Sequence, residues 1–90
     1  MLFRSRNLVR AAAALEEATK LSLGTKLSAT ANFQLGSVYA SLAQWDLAVA
    51  AFKRASVSNP ESILPILGAA NAYLKAGQYQ SAIEIGRAHV

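Results

Sequence analysis

Sliding the sequence against itself by 34 residues sets Tyr39 on Tyr73, Ala43 on Gly77, Trp45 on Tyr79, Ala48 on Ala82 and Val49 on Ile83. Leu42 falls on Ala76, and the one mismatch in the run is Leu47 against Ser81. Aromatic, small and branched positions agree in kind across two segments that each read as helix, turn, helix. A period of this length marks repeat architectures, whose units cannot bury their apolar faces alone and stack on one another to do so. A chain of 90 residues supports at most one small domain with an economical core. The period therefore leaves little room for another plan.

Each half has a physical reading. Residues 29–42 place Phe33, Leu35, Val38, Tyr39 and Leu42 on one broad helical stripe, with a threonine near the start available as a cap. Gly36 lies inside that helix, where it costs about 1 kcal/mol against alanine, so another helix is expected to approach it closely. Ala43 and Gln44 precede a second helix with Trp45, Ala48, Val49, Phe52 and Ala55 facing inward. Two stripes so close in sequence cannot both face water, and the helices are expected to fold together as an antiparallel hairpin.

Asn59 and Pro60 then break the chain, with Pro60 and Glu61 suited to a new first turn. The next helix is predicted over about 61–76, with Ile63, Ile66, Leu67, Ala70, Tyr73 and Leu74 as its apolar residues and Pro65 tolerated near its start. Gly77 makes the turn, and 78–84 begins a partner helix on Tyr79, Ala82 and Ile83. Ahead of the hairpins, 7–22 reads as one helix with Leu8, Ala11, Ala12, Leu15, Ala18 and Leu21 or Leu23 inward, ended by Leu23, Gly24 and Thr25.

The composition, 53% hydrophobic and 16% charged with two prolines, is that of a folded helical chain. With no cysteine there is no disulfide or thiolate metal site, and no apolar run approaches the roughly 20 residues that cross a bilayer. Most of the net charge of +4 lies at the start, where Arg4, Arg6, Arg10, Lys20 and Lys26 outnumber Glu16 and Glu17, whereas 27–84 is neutral and Arg87 supplies the last unit. A nucleic-acid footprint needs cations clustered on one folded face, and none is expected here. The arginine-bearing opening suits an organelle targeting peptide or a first amphipathic helix. The early glutamates and helically spaced alanines favour the helix, and a cytoplasmic location is favoured with it.

The segment LGSVYASLAQWDLAVAAFKRASVSNP resembles the tetratricopeptide repeat, a helical hairpin of 34 residues. The family pattern falls on Leu35, Gly36, Tyr39, Ala43, Trp45, Ala48, Phe52, Ala55 and Pro60. The following unit keeps Tyr73, Gly77, Tyr79 and Ala82, with Ala69 and Ala70 in place of the Leu-Gly pair and a glycine at 68. The resemblance implies an all-α fold, hairpins stacked as a short, truncated right-handed α-solenoid. Its units are an N-terminal helix within 1–26, standing as the second half of a partial repeat, a full repeat over 27–60 and a partial one over 61–84.

It also implies a scaffold without chemistry of its own, whose first helices line a concave groove for an extended segment or helix of a partner protein. The groove-facing positions would be Thr30, Phe33, Gln34, Ser37 and Ser41 in one repeat and Leu64, Leu67, Gly68, Asn71 and Lys75 in the next. Family members that grip a C-terminal carboxylate use lysine, arginine and asparagine at such places. Only Asn71 and Lys75 are of that kind, so an apolar or mixed groove anchored by Phe33, Leu64 and Leu67 is expected.

No catalytic constellation accompanies the repeats: the serines and threonines have no base beside them, and the glycines lack phosphate-loop spacing. We expect a non-catalytic adaptor that needs no cofactor. Two other readings stay open, the docking part of a larger enzyme and a module that self-associates.

The last residues break the pattern. The repeat register asks for a large residue at 86 and a small one at 89, where the sequence has Gly86 and His89. The six residues IGRAHV resemble the translation of a short-read sequencing adapter, ATC GGA AGA GCA CAC GTC, whose next codon is a stop. On that reading 85–90 are not native, His89 has no role as a base or ligand, and the natural protein is longer. Long-read sequencing of the source DNA across the codons for 78–90 is expected to show a frame continuing past Glu84. A genuine stop directly after Val90 would overturn this.

Overall fold

The computed structural model describes residues 2–21 and 26–89, and the side chains of 6–21 and 27–87. Among them the chain forms five α-helices, α1 (Leu2–Leu21), α2 (Lys26–Ser41), α3 (Trp45–Ser58), α4 (Leu64–Lys75) and α5 (Tyr79–His89). Each helix packs on the next in sequence, and α2 also touches α4 across α3. The protein is all-α and repeat-like, built by sequential helix–helix packing. No helix among the described residues is long and apolar enough to cross a membrane.

Two of the helix ends share one backbone pattern. After α2, the N–H of Ala43 bonds the carbonyl of Ala40 at 3.0 Å and that of Gln44 the carbonyl of Tyr39 at 2.9 Å. After α4, Gly77 and Gln78 bond Leu74 and Tyr73 in the same way, at 3.1 and 2.8 Å. This paired closure satisfies carbonyls left open at a helix end and needs a left-handed residue. Gly77 takes that conformation at φ 80°, and Ala43 takes it at φ 58° despite its Cβ. The next helix then starts at once, Ala48 bonding Gln44 and Ala82 bonding Gln78.

The core is assembled around α3. Its Ala48, Val49 and Phe52 form one buried cluster with Ala69 and Ala72 of α4, while Ala51 joins Leu35 of α2 and Ala12 of α1. The Phe52 ring lies against both interior glycines of the neighbouring helices: a Cβ added at Gly36 would sit 2.7 Å from it, and one at Gly68 2.8 Å. Phe33 meets the same ring edge-on, with centroids 5.6 Å apart. The close approach predicted at Gly36 is thus made by an aromatic side chain.

Polar bonds fix the helix pairs further. Buried Asn32 donates to the Ser28 carbonyl at 3.0 Å and accepts from Arg54 Nε at 3.0 Å, tying α2 to α3. The Tyr39 hydroxyl donates to Glu16 at 2.7 Å, tying α2 to α1. Burial, and then the bond to the Glu16 carboxylate and its charge, hold the Tyr39 phenol above its usual range, with Arg54 opposing. Lys53 Nζ lies 5.5 Å above the Tyr73 ring, linking α3 to α4. Arg54 and Lys53 therefore both join helices.

Several expectations are corrected. The helix expected from residue 7 starts at Leu2, and its Leu21 faces solvent, while Leu23 lies outside the described residues. The second helix starts at Lys26, so Thr30 lies inside it and does not cap it. Residues 60–63 form turns and a bend, with Ser62 N–H bonded to the Asn59 carbonyl; the helix begins at Leu64, and Pro65, not Pro60, stands in its first turn. Within α4 the buried residues are Pro65, Ala69 and Ala72, whereas the apolar Leu67 and Leu74, and Ile63 just ahead of the helix, are exposed. Phe52 and Val49 already fill the space between α3 and α4, so that side of α4 takes small residues. Tyr79 and Ile83, expected inward, are exposed, and Ala82 alone of that trio is buried. Helix α5 continues through Ile85, half-buried against the α3–α4 cluster, and a Cβ at Gly86 would meet open space. The His89 side chain lies outside the described ones.

Two substitutions should move stability in opposite directions. Gly36→Ala forces its methyl group into the Phe52 ring, and overpacking outweighs the gain in helix propensity, for a loss of about 1–2 kcal/mol. Ala43→Gly removes a left-handed alanine, and that relief exceeds the added unfolded-state entropy, for a gain of about 0.5–1 kcal/mol. Urea unfolding midpoints of the two variants against the parent check both signs.

Candidate partner-binding groove

The residues expected to line a groove lie on α2 and α4. On α2, Thr30, Gln34, Ser37 and Ser41 are exposed and Phe33 is half-buried, the last held by its contact with Phe52. On α4, Leu64, Leu67, Asn71 and Lys75 are exposed, and Gly68 is half-buried against Phe52. Their spacing of three or four residues keeps each set on one side of its helix. Ser37 Oγ donates to the Phe33 carbonyl at 3.2 Å and Ser41 Oγ to the Ser37 carbonyl at 3.1 Å. Both hydroxyl protons are therefore turned to their own helix, leaving the oxygens as acceptors.

Three of these residues converge. Thr30, Phe33 and Leu64 line one depression of about 150 Å³ together with Ala29, Ala55 and Pro65, and with Asn59 and Ser62 from the loop between α3 and α4. An apolar cavity of about this volume holds a benzene-sized group. Its wall is apolar, made by an aromatic ring, a leucine, a proline and two alanines, while a hydroxyl or amide from Thr30, Asn59 and Ser62 supplies polar atoms. None of the residues that line it is charged.

The others are not part of that depression. Gln34, Ser37, Ser41, Leu67 and Asn71 lie outside it, and Lys75 stands at the far end of α4, lining a wide, shallow hollow with Gln44, Trp45, Asp46 and Gln78. The cation and the aromatic anchor thus belong to different places. Ala29, Ala55, Asn59, Ser62 and Pro65 were not among the positions expected to line the groove. The helix-breaking Asn59 and Pro60 were legible, but which side of the stack the loop faces depends on where α4 begins.

Chemically the arrangement accepts an apolar side chain against Phe33 and Leu64 and offers hydrogen bonds at its rim. No group of histidine, cysteine, aspartate and glutamate among the described residues is placed to hold a metal ion. The turn pairs and the depression stand on the chain's own geometry: no family model matches it, and no curated protein or solved structure does either.

Proposed function

We propose that this chain is a non-catalytic protein-binding scaffold of the tetratricopeptide type, its hairpins stacked as a short right-handed solenoid, and that it takes an extended segment or helix of a partner protein along α2 and α4. The observation that carries this reading is the uncharged depression at Phe33 and Leu64, formed where α2, α3 and α4 meet. An apolar side chain of the partner enters it, and the exposed Leu67 further along α4 extends the contact. Identical helix-end closures at Ala43 and Gly77 support the repeat reading, because they set two successive hairpins with the same local geometry. A few buried anchors dominate such interfaces, so specificity rests on this one hollow more than on the polar α2 surface.

Selection from a displayed library of random twelve-residue peptides tests the reading. Selected peptides should share one large apolar residue. Leu64→Asp should weaken them by about tenfold or more, equivalent to about 1.4 kcal/mol, with the helical circular dichroism and unfolding midpoint unchanged. Val57→Asp, on an exposed residue outside the hollow, should leave binding as it was. Peptides that bind the Leu64→Asp protein as well as the parent would sink the proposal.

A further inference from the structure

The hollow at Phe33 and Leu64 carries two polar side chains that the fold does not use. Between the helices the polar groups are paired: the Asn32 amide bonds Ser28 and Arg54, and the Tyr39 hydroxyl bonds Glu16. The Asn59 amide and the Ser62 hydroxyl, both half-buried on the loop between α3 and α4, form no hydrogen bond among the described residues. Their backbone is nevertheless fixed, since Asn59 N–H bonds the Ala55 carbonyl at 3.0 Å and Ser62 N–H bonds the Asn59 carbonyl at 3.2 Å. Both side chains line the hollow, beside an apolar wall of Phe33, Leu64 and Pro65.

An occupant of the hollow covers these two groups, and a polar group taken from water without a partner is costly. An aliphatic side chain leaves both unpaired. A charged one meets no counter-charge, because none of the lining residues is charged. The space of about 150 Å³ suits a single six-membered ring, and an indole is larger. We infer, resting on the reading that the groove takes a segment of a partner protein, that the hollow is a specificity site for a tyrosine of that segment. The ring lies against Phe33, Leu64 and Pro65, and the phenol hydroxyl, both donor and acceptor, bonds the Asn59 amide and the Ser62 hydroxyl. Phe33 and Leu64 supply the grip on any such ring. Asn59 and Ser62 supply the choice of tyrosine over phenylalanine, since a site whose polar groups await a hydroxyl rejects the analogue that lacks one.

The probes are p-cresol, the tyrosine side chain alone, and toluene, the same ring without the hydroxyl. Each is titrated into the whole chain and followed by nuclear magnetic resonance. Toluene is the more apolar, so burial alone ranks it first. The hydroxyl should reverse that order, with p-cresol bound about fivefold or more tightly than toluene and its shifts centred on Phe33 and Leu64. Asn59→Ala combined with Ser62→Ala removes both polar groups and should restore toluene to first place. The unfolding midpoint should not change, as neither side chain is bonded to the fold. Toluene bound as tightly as p-cresol by the parent, a p-cresol preference that survives in the double variant, or no shift at Phe33 and Leu64 with p-cresol would overturn the proposal. The groove reading fails by a different result, peptides that bind the Leu64→Asp protein as well as the parent, whichever ring the hollow prefers.

Discussion

The Phe52 ring between Gly36 and Gly68 is the contact on which the rest of this structure depends. Helices α2 and α4 approach α3 only because each offers a position without a Cβ where the ring lies, and Phe33 closes the same ring from the side. The ring sets the spacing of three helices at once. Interiors are packed as closely as organic crystals, so a large side chain in one helix obliges small ones in its neighbours. Gly68, Ala69 and Ala72 on α4 meet that obligation, and the hollow at Phe33 and Leu64 follows from the spacing that results.

Polar contacts then select one arrangement among those the ring permits. Asn32 is buried between α2 and α3, and its amide is satisfied on both sides, by Ser28 and by Arg54. A buried amide left without partners costs about 1–3 kcal/mol. A slip of α3 along α2 would therefore lose more than apolar contact. The bond from Tyr39 to Glu16 does the same for α1, and no buried side-chain nitrogen or oxygen among the described residues lacks a partner.

The turns and the order of the helices were legible in the sequence because they depend on local chemistry. Ala43 and Gly77 end helices by the same pair of backbone bonds, and the aromatic residues before and after them recur at the same interval. Which residues of α4 are buried was not legible. Leu64 and Leu67 were placed on the open side, but Ile63 and Leu74 gave no sign of theirs, and the inner side belongs to Pro65, Ala69 and Ala72. That choice is made by the volume of Phe52 and Val49 on another helix, which the α4 sequence does not contain. The candidate hollow was half legible for a related reason. Thr30, Phe33 and Leu64 follow from helix periodicity, but Asn59 and Ser62 reach it only because α4 starts three residues later than its apolar pattern suggests. The non-native reading of residues 85–90 rests on their order alone; the helix runs on through 85–89.

The order of packing also bears on how the chain reaches this state. Each helix touches chiefly the helix before and after it, with α2 and α4 the only other pair in contact among the described residues. Contacts of that kind close short loops, and chains dominated by them fold on microsecond to millisecond timescales. They also make stability local. Helix α3 is gripped on two sides, while α1 and α5 are each held mainly by one neighbour, so amide protons of α3 open to exchange only when the whole stack gives way. Those of α1 and α5 exchange through partial openings that leave Phe52 between its two glycines.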